Sequence, residues 1–155
     1  MPNPNYSILV WGAISKKGII ALAFIDKTMD QAKYINTLSN YLLPNADKIH
    51  GKNKWRFQQD NAPCHKAYSV KQWLGANSIR MLDHPPQSPD LNPIENVWGI
   101  IKKSLEKKKS KNKIDLTQNI KESWNKISKE ICANCIDHLI KTLSKVIEKE
   151  GKFIK

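Results

Sequence analysis

Two short phrases near the middle of this chain constrain it most. Trp55-Arg56-Phe57-Gln58-Gln59 alternates aromatic with polar residues, as a short strand does, and runs into Asp60, Asn61 and Pro63, which close a strand rather than extend it. A carboxylate at the carboxyl end of a strand stands where open α/β sheets keep their ligands. The second phrase runs from Ser88 to Trp98 and starts a helix. Asn92 fits the N-cap, Pro93 the first helical position, and Glu95 the third, from which its side chain reaches back to the cap. Ile94, Val97, Trp98, Ile101 and Leu105 then recur at helical spacing as a buried stripe.

Glu95 borders that stripe, so it is able to face the sheet edge near Asp60. Two carboxylates converging from a strand end and a helix start suit divalent metal, bound through oxygen. Two such metals ~3.5–4 Å apart activate an attacking oxygen and stabilise a leaving one in phosphoryl transfer. Each residue also has a plainer reading, Glu95 as a capping-box residue and Asp60 as a turn former. Taken singly, the two residues leave both readings open.

With 155 residues the chain has the length of one domain with a real core. No run approaches the ~20 apolar residues of a membrane span, and the Met-Pro-Asn-Pro-Asn-Tyr start is unlike a signal peptide, so a soluble intracellular protein is expected. Three cysteines, an odd number, argue against a disulfide scaffold. The net charge is +12 and uneven: residues 1–98 carry 11 basic and 7 acidic side chains, residues 99–155 carry 15 and 7. An excess of this size favours a polyanion, most simply nucleic acid. Charge alone describes solvated lysine-rich helices equally well.

In chain order, Ser7–Ile14 and Ile19–Ile25 predict a hairpin about Lys16-Lys17-Gly18. Asp30 caps a helix striped by Ile35, Leu38, Tyr41 and Leu42 and closed by Pro44, and residues 45–54 read as a polar loop. A short helix through Ala67, Val70, Trp73 and Leu74 breaks at Gly75, and Ile79–Leu82 is a further strand. Prolines 85, 86 and 89 exclude regular structure from the loop at 83–92. The helix from Pro93 is expected to reach about Lys109. Leu116, Ile120, Trp124, Ile127 and Ile131 stripe the next helix; Ile136, Leu139, Ile140, Leu143, Val146 and Ile147 stripe the last, with Gly151 as its C-cap. The class is mixed α/β.

The phrases Gln-Asp-Asn-Ala-Pro-Cys-His (59–65) and Ser-Pro-Asp-Leu-Asn-Pro-Ile-Glu-Asn-Val-Trp (88–98) resemble the second and third acidic blocks of mariner-type (Tc/mariner) transposases, within the DDE strand-transferase superfamily. Val10-Trp11-Gly12 resembles the hairpin opening of that family's catalytic domain. Trp124 with Ile127, and Val146-Ile147 followed by Gly151, resemble its closing helices. The resemblance implies a ribonuclease-H-like α/β fold, a mixed sheet flanked by helices with a helical C-terminal end. It also implies a metal-dependent centre of three acids that cuts DNA at transposon ends and joins them to a target. On that likeness Asp60 is the second acid and Glu95 the third, both ligands of magnesium or manganese. The implied partners are transposon-end and target DNA, within a homodimeric transposition complex, and the implied location is the nucleus.

The family's first acid stands on the first central strand, upstream of the Val-Trp-Gly hairpin. Asp26 and Asp30 lie downstream of it and do not fit the role. Residues 1–155 are therefore expected to form a single, N-terminally truncated catalytic domain, lacking the first central strand and the helix-turn-helix that reads transposon ends. Such a chain is expected neither to cut DNA nor to recognise a sequence, and an unpaired edge in mid-sheet invites aggregation. The alternative is a catalytically dead remnant that binds DNA non-specifically. His84, where the family usually has tryptophan, and the lack of a Ser-Met-Pro element in the last helix are smaller departures.

Lys102, Lys103, Lys107, Lys108, Lys109, Lys111 and Lys113 form a dense basic run. Contact with DNA phosphates, a nuclear-import signal and a solvated linker all suit it. Cys132-Ala-Asn-Cys135 suggests zinc or redox chemistry, but no second pair accompanies it, so packing on a helix is the expected role. His65 is expected to serve helix entry and Asp90 a turn.

Overall fold

The computed structural model describes residues 7–59, 62–82 and 92–154, with side chains through 142. Leu9–Ser15 (β1) and Gly18–Ile25 (β2) form the expected antiparallel hairpin, with Leu9 opposite Ile25 and Ser15 opposite Gly18. Successive strand residues face opposite sides. Trp11 and Ala13 pack against one core cluster, centred on Tyr34, Leu38, Phe57 and Val70. Ile14 packs against a second, built on Val97, Ile101, Trp124 and Cys132. Helices thus cover the hairpin on both faces, which is why its strands lack a clean apolar-polar alternation.

Gly12 explains the Val-Trp-Gly phrase. A Cβ on it would stand 2.8 Å from Trp124 and 2.9 Å from Trp98, whose rings meet at 5.4 Å between centroids. Those separations are below van der Waals contact, so only glycine lets the two indoles close on β1.

The first helical segment corrects two expectations. Asp30 caps it as expected, accepting from Lys33 N at 2.8 Å. The helix does not stop at Pro44, however. Gln31–Thr37 (α1) continues through a π-helical turn, Leu38–Leu42, into Leu43–His50 (α2), which occupies most of the expected polar loop. Leu43 N reaches back five residues to Leu38 O, so Pro44, which has no N–H to donate, falls at the start of a new helix rather than inside an old one. Asn45 Nδ2 donates to Tyr41 O at 2.7 Å within the same turn. The buried face is Tyr34, Leu38, Leu42 and Ala46, spaced in fours, while Tyr41 is exposed. Four residues overshoot a 3.6-residue turn by about 40°. The wide turn absorbs part of that drift and keeps Ala46 on the core.

Arg56–Phe57 (β3) and Arg80–Met81 (β4) pair in parallel, both shorter than expected. Between them lie Pro63–Lys66 (α3) and Tyr68–Ala76 (α4), and α4 runs through Gly75, which has open space around it. Among the described residues the strands make two separate two-stranded sheets. Phe57 shares the first core cluster with the hairpin's Trp11.

Pro93–Lys108 (α5), Lys113–Asn125 (α6) and Lys129–Ile154 (α7) complete the fold. Lys109, at the end of α5, takes the left-handed conformation at φ 50°. Gly151 is not a cap: α7 runs past it, as a helix rich in Lys and Glu can for a penalty of about 1 kcal/mol. Ile140 is half exposed and lies off the buried stripe, whereas Cys132 is fully buried. Among the described residues no helix is long and apolar enough to cross a membrane.

The hairpin tip is tied down by polar contacts. His50 Nε2 lies 2.8 Å from Ser15 Oγ, and Lys16 pairs with Asp137 of α7 at 2.7 Å. Burial first, then the Lys17 charge, lowers the His50 pKa. The folded state therefore disfavours the imidazolium. Its contribution is fully present above the unfolded pKa near 6.5 and is lost as pH falls through the lower folded value.

Two outcomes are expected. Gly12→Ala should lower the urea midpoint by roughly 1–3 kcal/mol equivalent through overpacking against the two indoles; an unchanged midpoint would show that the indoles move aside freely. Between about pH 7.5 and pH 5 the wild type should lose more stability than His50→Gln, measured by urea melts at each pH.

Candidate active site and basic surface

Asp60 lies outside the described residues, as do Asp90 and His84. Its flanks are described. Gln58 and Gln59 lead away from β3, and Ala62 leads into α3. Tyr34 of α1 touches both sides of that position. Its hydroxyl donates to Gln59 at 2.6 Å, and its ring stacks on His65 at 4.0 Å. His65 is thus at helix entry, as expected, and also packs on a core tyrosine.

Glu95 is exposed in the first turn of α5. Asn92 holds the N-cap position, but its side chain makes no capping hydrogen bond. Among the described residues the Asn92 backbone N–H makes no hydrogen bond to the Glu95 carboxylate, so the expected capping box does not form here. A related cap forms at α6, where the acid reaches past the cap residue to the N–H before it. Asn112 Oδ1 accepts from Asp115 N at 2.7 Å, and Asp115 Oδ2 accepts from Lys111 N at 2.9 Å. Both segments pair an Asn with an acid three residues on, so their local pattern does not rank them. The structural outcome separates their roles. Asp115 is committed to its helix end, and Glu95 is left open beside the positive end of a helix dipole. Trp98, one turn further along α5, is held against Gly12 and Trp124 and fixes the entry of α5 on the hairpin.

The basic run surrounds the α5–α6 junction. Lys102, Lys103, Lys107, Lys109, Lys111 and Lys113 are exposed. Lys103 and Lys107, four apart, project opposite the Val97–Ile101 stripe. Lys108 is different. It falls on the core side of the helix, is half-buried, and pairs with Glu122 of α6 at 3.1 Å. The hydrogen bond from Lys108, followed by one from Gln118, lowers the Glu122 pKa. Lys108 therefore joins two helices, and six lysines remain as the outward-facing set.

Cys132 and Cys135 sit on α7 against the second cluster. Burial pushes both thiols up, and Asn96 only partly offsets this at Cys135. Raised thiols disfavour the thiolate that zinc or redox chemistry needs. Among the described residues no three His, Cys, Asp or Glu side chains converge as a metal group.

If Glu95 carries no capping role, Glu95→Gln should leave the urea midpoint within about 0.5 kcal/mol of wild type. Asn112→Ala should cost about 1 kcal/mol by uncapping α6. Equal losses in parallel melts would return Glu95 to a structural role.

Known proteins resemble this chain in sequence and in fold. A family profile described as DDE superfamily endonuclease matches residues 3–117. The chain is 31% identical over 145 residues to the transposable element Tcb2 transposase of Caenorhabditis briggsae, covering 94% of this chain and 53% of that protein. It is 31% identical over 151 residues to the Tc3 transposase of Caenorhabditis elegans, covering 94% and 44%. The chain thus spans about half the length of these relatives. Among solved structures, the Mos1 transposase catalytic domain with raltegravir and manganese superposes with a TM-score of 0.80 at 22% identity, over 93% of this chain and 76% of that one. A pre-cleavage Mos1 transpososome gives 0.83 at 20%, over 97% and 46%. At such identities the superposition establishes the fold, the ribonuclease-H-like α/β arrangement expected above. With the profile covering most of its length, the chain belongs to the DDE superfamily endonuclease family, and its curated relatives are Tc-type transposases.

Proposed function

We propose that this chain is the catalytic-domain portion of a Tc/mariner-type transposase, with Asp60 and Glu95 as metal ligands and the α5–α6 junction as a DNA-backbone contact. The observation that carries the reading is Glu95. Inside the matched family segment it stands as an exposed carboxylate, free of the capping role that its sequence context offered. A hard oxygen donor left open to solvent suits magnesium or manganese. Solved Mos1 structures with each of these metals lend support. The metal, when bound, supplies activation of an attacking oxygen and stabilisation of a leaving one.

The chain's own residues do the rest. Glu95 presents charge at the rigid start of α5, anchored through Trp98. The six outward lysines neutralise phosphates and release counterions, which favours DNA without regard to sequence. DNA as partner is supported by Mos1 complexes that contain a transposon end. Assembly as a homodimer and residence in the nucleus, where the basic run would serve import, belong to the same proposal.

The test is DNA binding and nicking by the 155-residue polypeptide. Binding should be sequence-indifferent and salt-dependent. Replacing Lys103, Lys107 and Lys111 by glutamine should reduce the slope of log affinity against log salt by about 2–3. On the family likeness Asp60 and Glu95 are two of its three acids, and nicking by residues 1–155 with magnesium or manganese is expected to be absent. Robust nicking lost in Asp60→Ala would overturn that expectation. DNA binding indifferent to both magnesium and Asp60→Ala is what a remnant without chemistry would show.

A further inference from the structure

We infer that Tyr34, Gln59 and His65 form a positioning clamp that fixes the chain on both sides of residue 60. The inference rests on the reading of Asp60 as a metal ligand and adds the residues that tie the chain before and after it.

Tyr34 is completely buried, and a buried phenol needs a hydrogen-bond partner. It finds one in Gln59, donating to Oε1 at 2.6 Å. Gln59 Nε2 in turn donates to the backbone oxygen of His65 at 3.1 Å. The His65 ring then lies back over the Tyr34 ring, with centroids 4.0 Å apart and planes 21° from parallel. The three contacts close a circuit, from α1 to the end of the β3 segment, across to α3, and back to α1.

The circuit admits one arrangement. The His65 backbone oxygen only accepts, so the Gln59 amide must turn its nitrogen there and its oxygen to Tyr34. The Tyr34 hydroxyl must then donate. A glutamate, leucine or methionine at 59 cannot satisfy both ends, and phenylalanine at 34 removes the donor. Gln59 and His65 stand on either side of residues 60–61, so the Gln59–His65 bond spans that segment directly. Tyr34 ties both ends to the most buried part of the first core cluster. A metal-binding carboxylate performs only if its backbone is held to within a fraction of an ångström, and a side-chain circuit of this kind constrains the chain at residues 59 and 65.

The test uses the full chain and two nuclear magnetic resonance readouts. In Tyr34→Phe, amide exchange at the observable residues of 59–66 should rise about fivefold relative to the slowest amides of α5, as loss of one local hydrogen bond implies. Manganese titration should broaden amides near 59–66 and 93–96 in the wild type, with the midpoint moved severalfold higher in Tyr34→Phe. Gln59→Leu, which breaks both bonds, should do at least as much. Exchange that rises equally everywhere, or not at all, would overturn the clamp and leave Tyr34 as core packing. An unaltered manganese midpoint in both Tyr34→Phe and Gln59→Leu would do the same. If instead Asp60→Ala leaves manganese broadening intact, or the wild type shows none, the metal reading fails while the exchange result still decides the clamp.

Discussion

The contact on which the rest of this structure depends is the seating of two indoles on a bare backbone. Trp98 and Trp124 come from different helices and meet over Gly12, the one place on β1 where no side chain intervenes. Through that contact the hairpin fixes both α5 and α6. It also fixes whatever those helices carry: Glu95 sits one turn before Trp98, and the outward lysines flank the turn that leads towards Trp124. Packing deep in the core thus sets where charge appears on the surface, because close-packed interiors transmit position with little slack.

Much of this was legible in the sequence. The hairpin, the helix at Pro93, the cap at Asp30 and the core residues Val97, Ile101, Ile120 and Trp124 follow from periodicity and end signals, which act over a few residues. The failures share a cause. Pro44 reads as a stop, but a wide turn before it removed the need for its missing donor, and that turn is favoured by a core face spaced in fours. Tyr34 does not stand out in the sequence, because its neighbours Ile35 and Tyr41 make an equally good stripe; only the tertiary partners Phe57 and Val70 choose between the two faces. Gly151 reads as a helix end, yet a single glycine's penalty is small beside the propensity of the residues around it.

For the site, the sequence supplied residues and withheld their company. Asp60 and Glu95 stood out by their local context, and family likeness gave them roles. That Asn92 would leave Glu95 uncapped while Asn112 and Asp115 paired was not legible, since the two segments carry the same signal. Lys108 likewise reads as one lysine among seven. Its position on the core side of α5 follows from counting turns, but its partner on α6 required the fold.

The recognisable family segment ends at residue 117, while the indole that closes over Gly12 is at 124 and the fully buried thiol of the same cluster is at 132. The unit of recognition is therefore shorter than the unit of folding. A polypeptide trimmed to the matched residues would keep both acidic blocks and all six outward lysines, yet strip Trp124 and Cys132 from the apolar face that α5 alone would then cover.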